Sequence, residues 1–149
     1  MNHATFIRQT LNLAKSARCK RNHPFGALLE HKGKVVLTAE NSVVSDRDVT
    51  RHAELNLVSR ASKIYSRQHL GNCTLYTSTE PCVMCCGAIY WSGIRNVIFG
   101  LPAKELGKLT SGSFVVESNL IFSRGKERVN LEGPILFEES REVHLGFWN

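Results

Sequence analysis

The chain has 149 residues, of which 42% are hydrophobic and 21% charged, and its formal net charge is +6. The length implies one domain over 1–149, large enough to bury its own core without disulfide staples. No apolar run reaches the roughly eighteen residues that cross a bilayer, and Met1 to Cys19 lacks a signal-peptide core; no membrane partner and a cytoplasmic location are expected.

From Asn2 to Ala17, the residues Phe6, Ile7, Thr10, Leu11, Leu13 and Ala14 recur near helical spacing and predict an amphipathic helix. Asn22-His23-Pro24 breaks that pattern. Phe25 to His31 and Val35 to Asn41 read as two strands joined by a tight turn at Lys32-Gly33-Lys34. Ser42 to Val49 reads as a loop, and Thr50 is placed to cap a helix over Arg51–Ser62. Cys73 to Ser78 reads as an apolar strand. Pro81 then suits the first turn of a helix over Cys82–Trp91, which Gly93 ends, and Ile94 to Gly100 is the next strand. Further on, Pro102–Leu109 predicts a short helix, Phe114–Phe122 fits helix or strand, Arg128–Leu131 a short edge strand, and Glu138–Phe147 a final helix. This order predicts an α/β layered sandwich. The two central strands each follow a helical crossover, so they are expected to pair in parallel.

Five cysteines, Cys19, Cys73, Cys82, Cys85 and Cys86, form an odd set that argues against a disulfide framework. Two stretches carry the chemistry: His52-Ala53-Glu54 and Pro81-Cys82-Val83-Met84-Cys85, each opening a predicted helix. Cys82 and Cys85 are three apart on a helix, so both sulfurs point to one side. A helix N-terminus also favours their ionised form. Two thiolates and a neutral imidazole from His52 make a three-donor set of the kind zinc takes, and three donors with one open position mark a catalytic rather than a structural site. Glu54 is placed to take a proton from water activated at such a metal and to hand it on. His-x-Glu followed by Pro-Cys-x-x-Cys is the signature of the zinc nucleobase deaminases. A Cys-x-x-Cys by itself also fits a redox pair or half of a structural zinc site. Cys86 is then the best candidate for a fourth donor, although adjacent residues on a helix point about 100° apart. Cys73 and Cys19 read as small buried apolar residues.

On these motifs the sequence resembles the cytidine-deaminase-like superfamily, above all its branch of guanine deaminases, tRNA adenosine deaminases and fungal-type cytosine deaminases. The resemblance runs from about Phe6 to Gly100 through Pro24-Phe25-Gly26-Ala27, Asn41, Arg51-His52-Ala53-Glu54, Leu75-Tyr76-Thr77-Ser78, Glu80-Pro81-Cys82-Val83-Met84-Cys85, Gly87-Ala88-Ile89 and Val97-Ile98-Phe99-Gly100. It implies a three-layer α/β/α sandwich with a five-stranded mixed sheet flanked by helices, a Zn2+ cofactor and usually a homodimer. It further implies that Asn41 hydrogen-bonds the substrate, that Phe25 lines the base pocket and that the backbone N–H of Ala53 contacts the ring. From the residues alone, Asn41 also suits a strand end and Phe25 a core position.

The last third matches less well. In the tRNA adenosine deaminases, the strand equivalent to Val97–Phe99 leads into an Ala-Arg-Asp-type turn and a basic helical tail. Here Leu101-Pro102-Ala103-Lys104-Glu105 follows instead, and the sequence given closes on Phe147-Trp148-Asn149. Guanine deaminases of the superfamily close their sites with C-terminal aromatic residues. Trp148 therefore fits a substrate wall and fits equally the packing of a final helix, while Trp91 is assigned to the core or a dimer interface. The expected function is hydrolytic deamination of a free nucleobase or similar amino-heterocycle, a guanine-like purine first and cytosine or a related ring second. A tRNA-specific adenosine deaminase is the alternative, since the net positive charge permits contact with RNA without demanding it. A non-enzymatic, zinc-stabilised binding module is the third reading, and Glu54 argues against it because a purely structural site has no use for that carboxylate.

Overall fold

The computed structural model describes residues 2–148. Helix α1 (His3–Cys19) opens on Asn2, whose side chain accepts from the Thr5 backbone N–H, and buries Ile7, Thr10, Leu11, Ala14 and Ala17 along one stripe. Strand β1 (Gly26–His31) pairs antiparallel with β2 (Lys34–Glu40). Lys32 and Gly33 between them both take positive φ, as a two-residue hairpin turn requires. The other edge of β1 pairs antiparallel with β3 (Thr74–Thr79). β3 pairs in parallel with β4 (Asn96–Leu101), and β4 with β5 (Asn130–Glu132). The sheet is mixed, in the order β2-β1-β3-β4-β5. The expected parallel pairing thus falls between β3 and β4, joined through α5 (Val83–Ser92).

Alternation along the strands divides the core in two, because successive side chains leave a strand on opposite faces. Ala27, Leu29, Leu75 and Val97 meet Leu57, Val58 and Ala61 of α3 (Ala53–Ile64) and Cys86 and Ile89 of α5. Leu28, Tyr76 and Ile98 face the other way, onto Ile7, Leu11 and Ala14 of α1 and Val143 just beyond α8 (Phe137–Glu142). The result is the three-layer α/β/α sandwich. Two glycines permit the close stacking of its layers. A Cβ at Gly26 would stand 2.3 Å from the Thr10 carbonyl oxygen, and one at Gly100 would stand 2.3 Å from Ser140 Oγ. Hence α1 sits directly on β1, and α8 directly on β4.

Several local expectations are corrected. The stretch 42–49 is not all loop: α2 (Val43–Asp46) forms there because Asn22 Oδ1 accepts the backbone N–H groups of Val44 and Ser45. A second short helix, α4 (Arg67–Leu70), is capped by Ser66. Thr50 caps nothing; its hydroxyl donates to Asp48, and His52 holds the N-cap position of α3. After α6 (Ala103–Thr110), the ambiguous 114–122 stretch stays irregular to Glu117 and turns helical only in α7 (Ser118–Phe122). The final helix stops at Glu142, because the Arg18 guanidinium takes the carbonyls of Val143 and Leu145 at 2.9 and 2.8 Å and Gly146 turns the chain at positive φ. Cys73 is buried as expected, whereas Cys19 is exposed. Trp91 is 74% exposed and so is no core residue.

Candidate active site

Both motifs arrive at helix starts that face each other across the packed pair α3 and α5. His52 is the N-cap of α3 and Cys82 the N-cap of α5, each with extended backbone, and Cys85 lies in the first turn of α5. Cys82, expected to be the first helical residue, is instead the N-cap and stands one position ahead of α5. His52 Nδ1 lies 3.5 Å from Cys82 Sγ and 3.7 Å from Cys85 Sγ, and the three donor atoms fall within 4.8 Å of one another. Zinc bonds of roughly 2.3 Å to sulfur and 2.0–2.1 Å to nitrogen place such donors roughly 3.6 Å apart at a tetrahedral angle. The donor set fits the ion in spacing and in chemistry. Cys86 takes no part: its thiol is buried and donates to the Pro81 carbonyl at 3.5 Å. Among the described residues, no other group of three such donors gathers.

The proton chemistry of the cluster follows from its crowding. Hydrogen bonds from Cys85 and His52 outweigh burial and bring the Cys82 thiol down to about 4, while its ionised partner and burial push Cys85 well above the usual thiol range. Cys85 must then give up its proton for a cation to be held by both sulfurs. The Cys82 thiolate in turn raises His52, against the effect of burial. Glu54, in the first turn of α3, is 6% exposed. Burial, and then the charge on Cys82, lift its carboxyl to about 7. A carboxyl so raised can both hold and give up a proton near neutral pH.

Glu80, a residue to which no role was assigned from the sequence, fixes the approach to this cluster. One carboxylate oxygen accepts the Ala103 backbone N–H at 2.9 Å; the other accepts both the backbone N–H and the hydroxyl of Ser118 at 2.7 Å. The turn into Cys82 is thereby tied to the starts of α6 and α7. The 103–116 segment then forms one wall of a cavity of about 310 Å³ beside His52 and Cys82, lined by apolar Val83, Met84, Leu106, Phe114, Val115 and Val116. The signal in the sequence was a carboxylate placed directly before Pro81-Cys82.

Asn41 and Ala53 lie on the segments that lead into α3, and Phe25 and Trp148 belong to one aromatic group. The Asn41 backbone N–H donates to the Phe25 carbonyl, and the Ser42 N–H to that of Arg51, which laces the end of β2 to the turn before His52. Asn41 is 1% exposed; its Oδ1 accepts the Val43 N–H, while its Nδ2 is buried with no hydrogen-bond partner among the described residues. Ala53 is buried at the first position of α3, where backbone N–H groups lack intrahelical acceptors. Phe25 stands 6.1 Å from Trp148 and 5.2 Å from His144, ring centre to ring centre. His23, another residue passed over in the sequence, lies 5.2 Å from Trp148. It is lowered by burial and by the charge of His52. Trp148 lies beyond α8, so its contacts are not those of a final helix.

Residues 1–101 match the family model of the cytidine and deoxycytidylate deaminase zinc-binding region. A probable cytosine deaminase of Schizosaccharomyces pombe is 39% identical over 149 residues, covering 97% of this chain and 91% of the relative. A tRNA-specific adenosine deaminase of Aquifex aeolicus is 35% identical over 111 residues, 74% of each chain. In fold, a guanine deaminase structure from Nitrosomonas europaea superposes with a TM-score of 0.82 at 23% identity, over 97% of this chain and 83% of that one. The matched region contains both helix starts and all three metal donors, and on that ground the chain belongs to the cytidine and deoxycytidylate deaminase family of zinc-binding hydrolases.

Proposed function

We propose that this chain, as one domain over 1–149, hydrolyses the exocyclic amine of a free nucleobase, a guanine-like purine first, and not of a nucleotide within tRNA. The observation that carries this is the make-up of the pocket walls. Among the described residues, no Lys or Arg lines the cavity beside His52 and Cys82, so a phosphate chain gains nothing there, whereas a flat neutral ring meets the apolar side chains of Val83, Met84, Leu106 and Phe114. Phe25 and Trp148 offer an extended aromatic wall suited to a bicyclic ring. Cytosine is the second reading, supported by the 39% identity to a probable cytosine deaminase over 97% of this chain.

His52, Cys82 and Cys85 would hold the zinc ion, which supplies ionised water at neutral pH. Glu54 takes a proton from the water that attacks the amine-bearing carbon and returns it to a ring nitrogen. The hydroxyl now on that carbon gives its proton to the amine, the C–N bond breaks, ammonia leaves and a carbonyl remains on the ring. Asn41 Nδ2, buried without a hydrogen-bond partner among the described residues, donates to an acceptor on the ring, and the N–H of Ala53 meets its edge. Phe25 and Trp148 keep bulk water from the ring faces. The reading includes a homodimer, supported by the apolar groove of about 490 Å³ in which exposed Trp91 lies with Ile121 and Phe122.

An ammonia-release screen over guanine, cytosine, adenine, their nucleosides and a tRNA stem-loop tests the assignment. Turnover of a free base is expected. Glu54→Gln should keep its zinc and lose about 10²- to 10⁴-fold in rate. Near-normal release by Glu54→Gln, or salt-sensitive activity confined to the stem-loop, overturns the reading.

A further inference from the structure

The turn after α8 is built around a histidine that the deamination chemistry leaves unused. His144 is 1% exposed, yet both of its ring nitrogens have partners. Nδ1 accepts the indole Nε1–H of Trp148 at 3.1 Å, and Nε2 lies 3.4 Å from Thr79 Oγ1. An indole N–H can only donate. Nδ1 must therefore be bare, and the proton of the neutral ring sits on Nε2, directed at Thr79. Thr79 ends β3, the strand that runs into Glu80 and Cys82. The indole of Trp148 is thus tied through one imidazole to the strand that delivers a metal donor.

A second anchor acts from outside. Arg18 of α1 holds the carbonyls of Val143 and Leu145, and its guanidinium lies 5.6 Å from the ring centre of Phe147. The backbone on either side of His144 is fixed, so the imidazole cannot follow the indole if the indole moves. The rings of His144 and Trp148 are near parallel, at 23°, with centres 6.3 Å apart. Without this tie, Trp148 would stand beyond the last helix with its rotamer set by loose ring contacts alone, and a ligand would have to immobilise it at an entropic cost.

We propose that His144 is a positioning residue for substrate binding: by accepting the Trp148 indole N–H while anchored on Thr79, it holds Trp148 as a preformed wall beside Phe25 and so sets how tightly the ring is bound. This rests on the free-base reading above. It assigns His144 no contact with the ring and no proton transfer.

His144→Phe removes both hydrogen bonds at similar volume, and His144→Asn keeps an acceptor near the place of Nδ1. With the base that the wild type turns over, His144→Phe should raise KM about threefold to tenfold, the net worth of one buried hydrogen bond. It should leave kcat within about twofold and zinc content unchanged, the pattern of lost binding rather than lost chemistry. His144→Asn should recover part of the KM. The double variant His144→Phe/Trp148→Phe should be no worse than Trp148→Phe alone, because the two residues act as one unit. A readout independent of turnover uses a Trp91→Phe background, in which Trp148 is the one remaining tryptophan. There His144→Phe should shift the emission to the red and increase quenching by acrylamide. An unchanged KM, a double variant whose losses multiply, or unchanged emission overturns the proposal. Should no base be turned over at all, the free-base reading fails by itself, and the emission still decides whether His144 holds Trp148.

Discussion

Acid should weaken this protein through His144, by an amount the structure sets. Burial, with the Arg18 guanidinium nearby, lowers this imidazole from 6.5 to about 4, and the Trp148 N–H on Nδ1 demands the neutral ring. Between pH 6.5 and 4 the unfolded chain binds a proton here that the folded chain refuses. The folded state is therefore at full strength above pH 6.5. It weakens as pH falls through the window, and the loss is complete below the folded value. At roughly 1.4 kcal/mol for each decade of proton affinity, the gap comes to about 3 kcal/mol, a large share of a small domain's stability. Urea unfolding of wild type and His144→Phe at several pH values from 7.5 to 4, both loaded with zinc, isolates the effect. The metal donors and His23 titrate alike in both proteins and cancel in the difference. The stability lead of wild type over the variant should shrink, or reverse, by about 3 kcal/mol across the window. Curves that stay parallel down to pH 4 would show that position 144 takes up its proton in the folded state as readily as in the unfolded one, and would refute the reasoning.

Cys85→Ala should bring zinc per chain, measured after dialysis, far below the wild-type value, because two donors do not hold the ion; full zinc retention would contradict the three-donor site. Glu80→Ala strips the acceptor from Ala103 N–H, Ser118 N–H and Ser118 Oγ. It should lower stability by about 1–3 kcal/mol and speed proteolysis within 111–117, with Glu80→Gln milder in both assays. Gly100→Ala should lower the urea midpoint by an amount equivalent to about 1–3 kcal/mol, since the added methyl meets Ser140 Oγ and the Ser78 carbonyl oxygen.

The donor set His52, Cys82 and Cys85 was legible because metal affinity depends on residue type and on short spacing at helix starts, which are local properties, and the structure brings those three together. The sheet was legible for a similar reason: near-continuous apolar runs such as Ala27-Leu28-Leu29 in β1 and Val97-Ile98-Phe99 in β4 report two buried faces, and helical crossovers between strands impose parallel pairing. The missed short helices, α2 and α4, and the early end of α8 depended on capping partners, and those of α2 and α8 lie far away in sequence, Asn22 for α2 and Arg18 beyond α8. Glu80 looked like one more residue of a motif until folding brought Ala103 and Ser118 to its two oxygens. His144 gave no signal at all, because its role rests on Thr79 and Trp148 meeting at one imidazole, with Thr79 65 positions away in sequence. Short-range spacing set the metal-donor set in the sequence, while the surroundings of those donors arise from contacts between distant segments and exist only once the layers have packed.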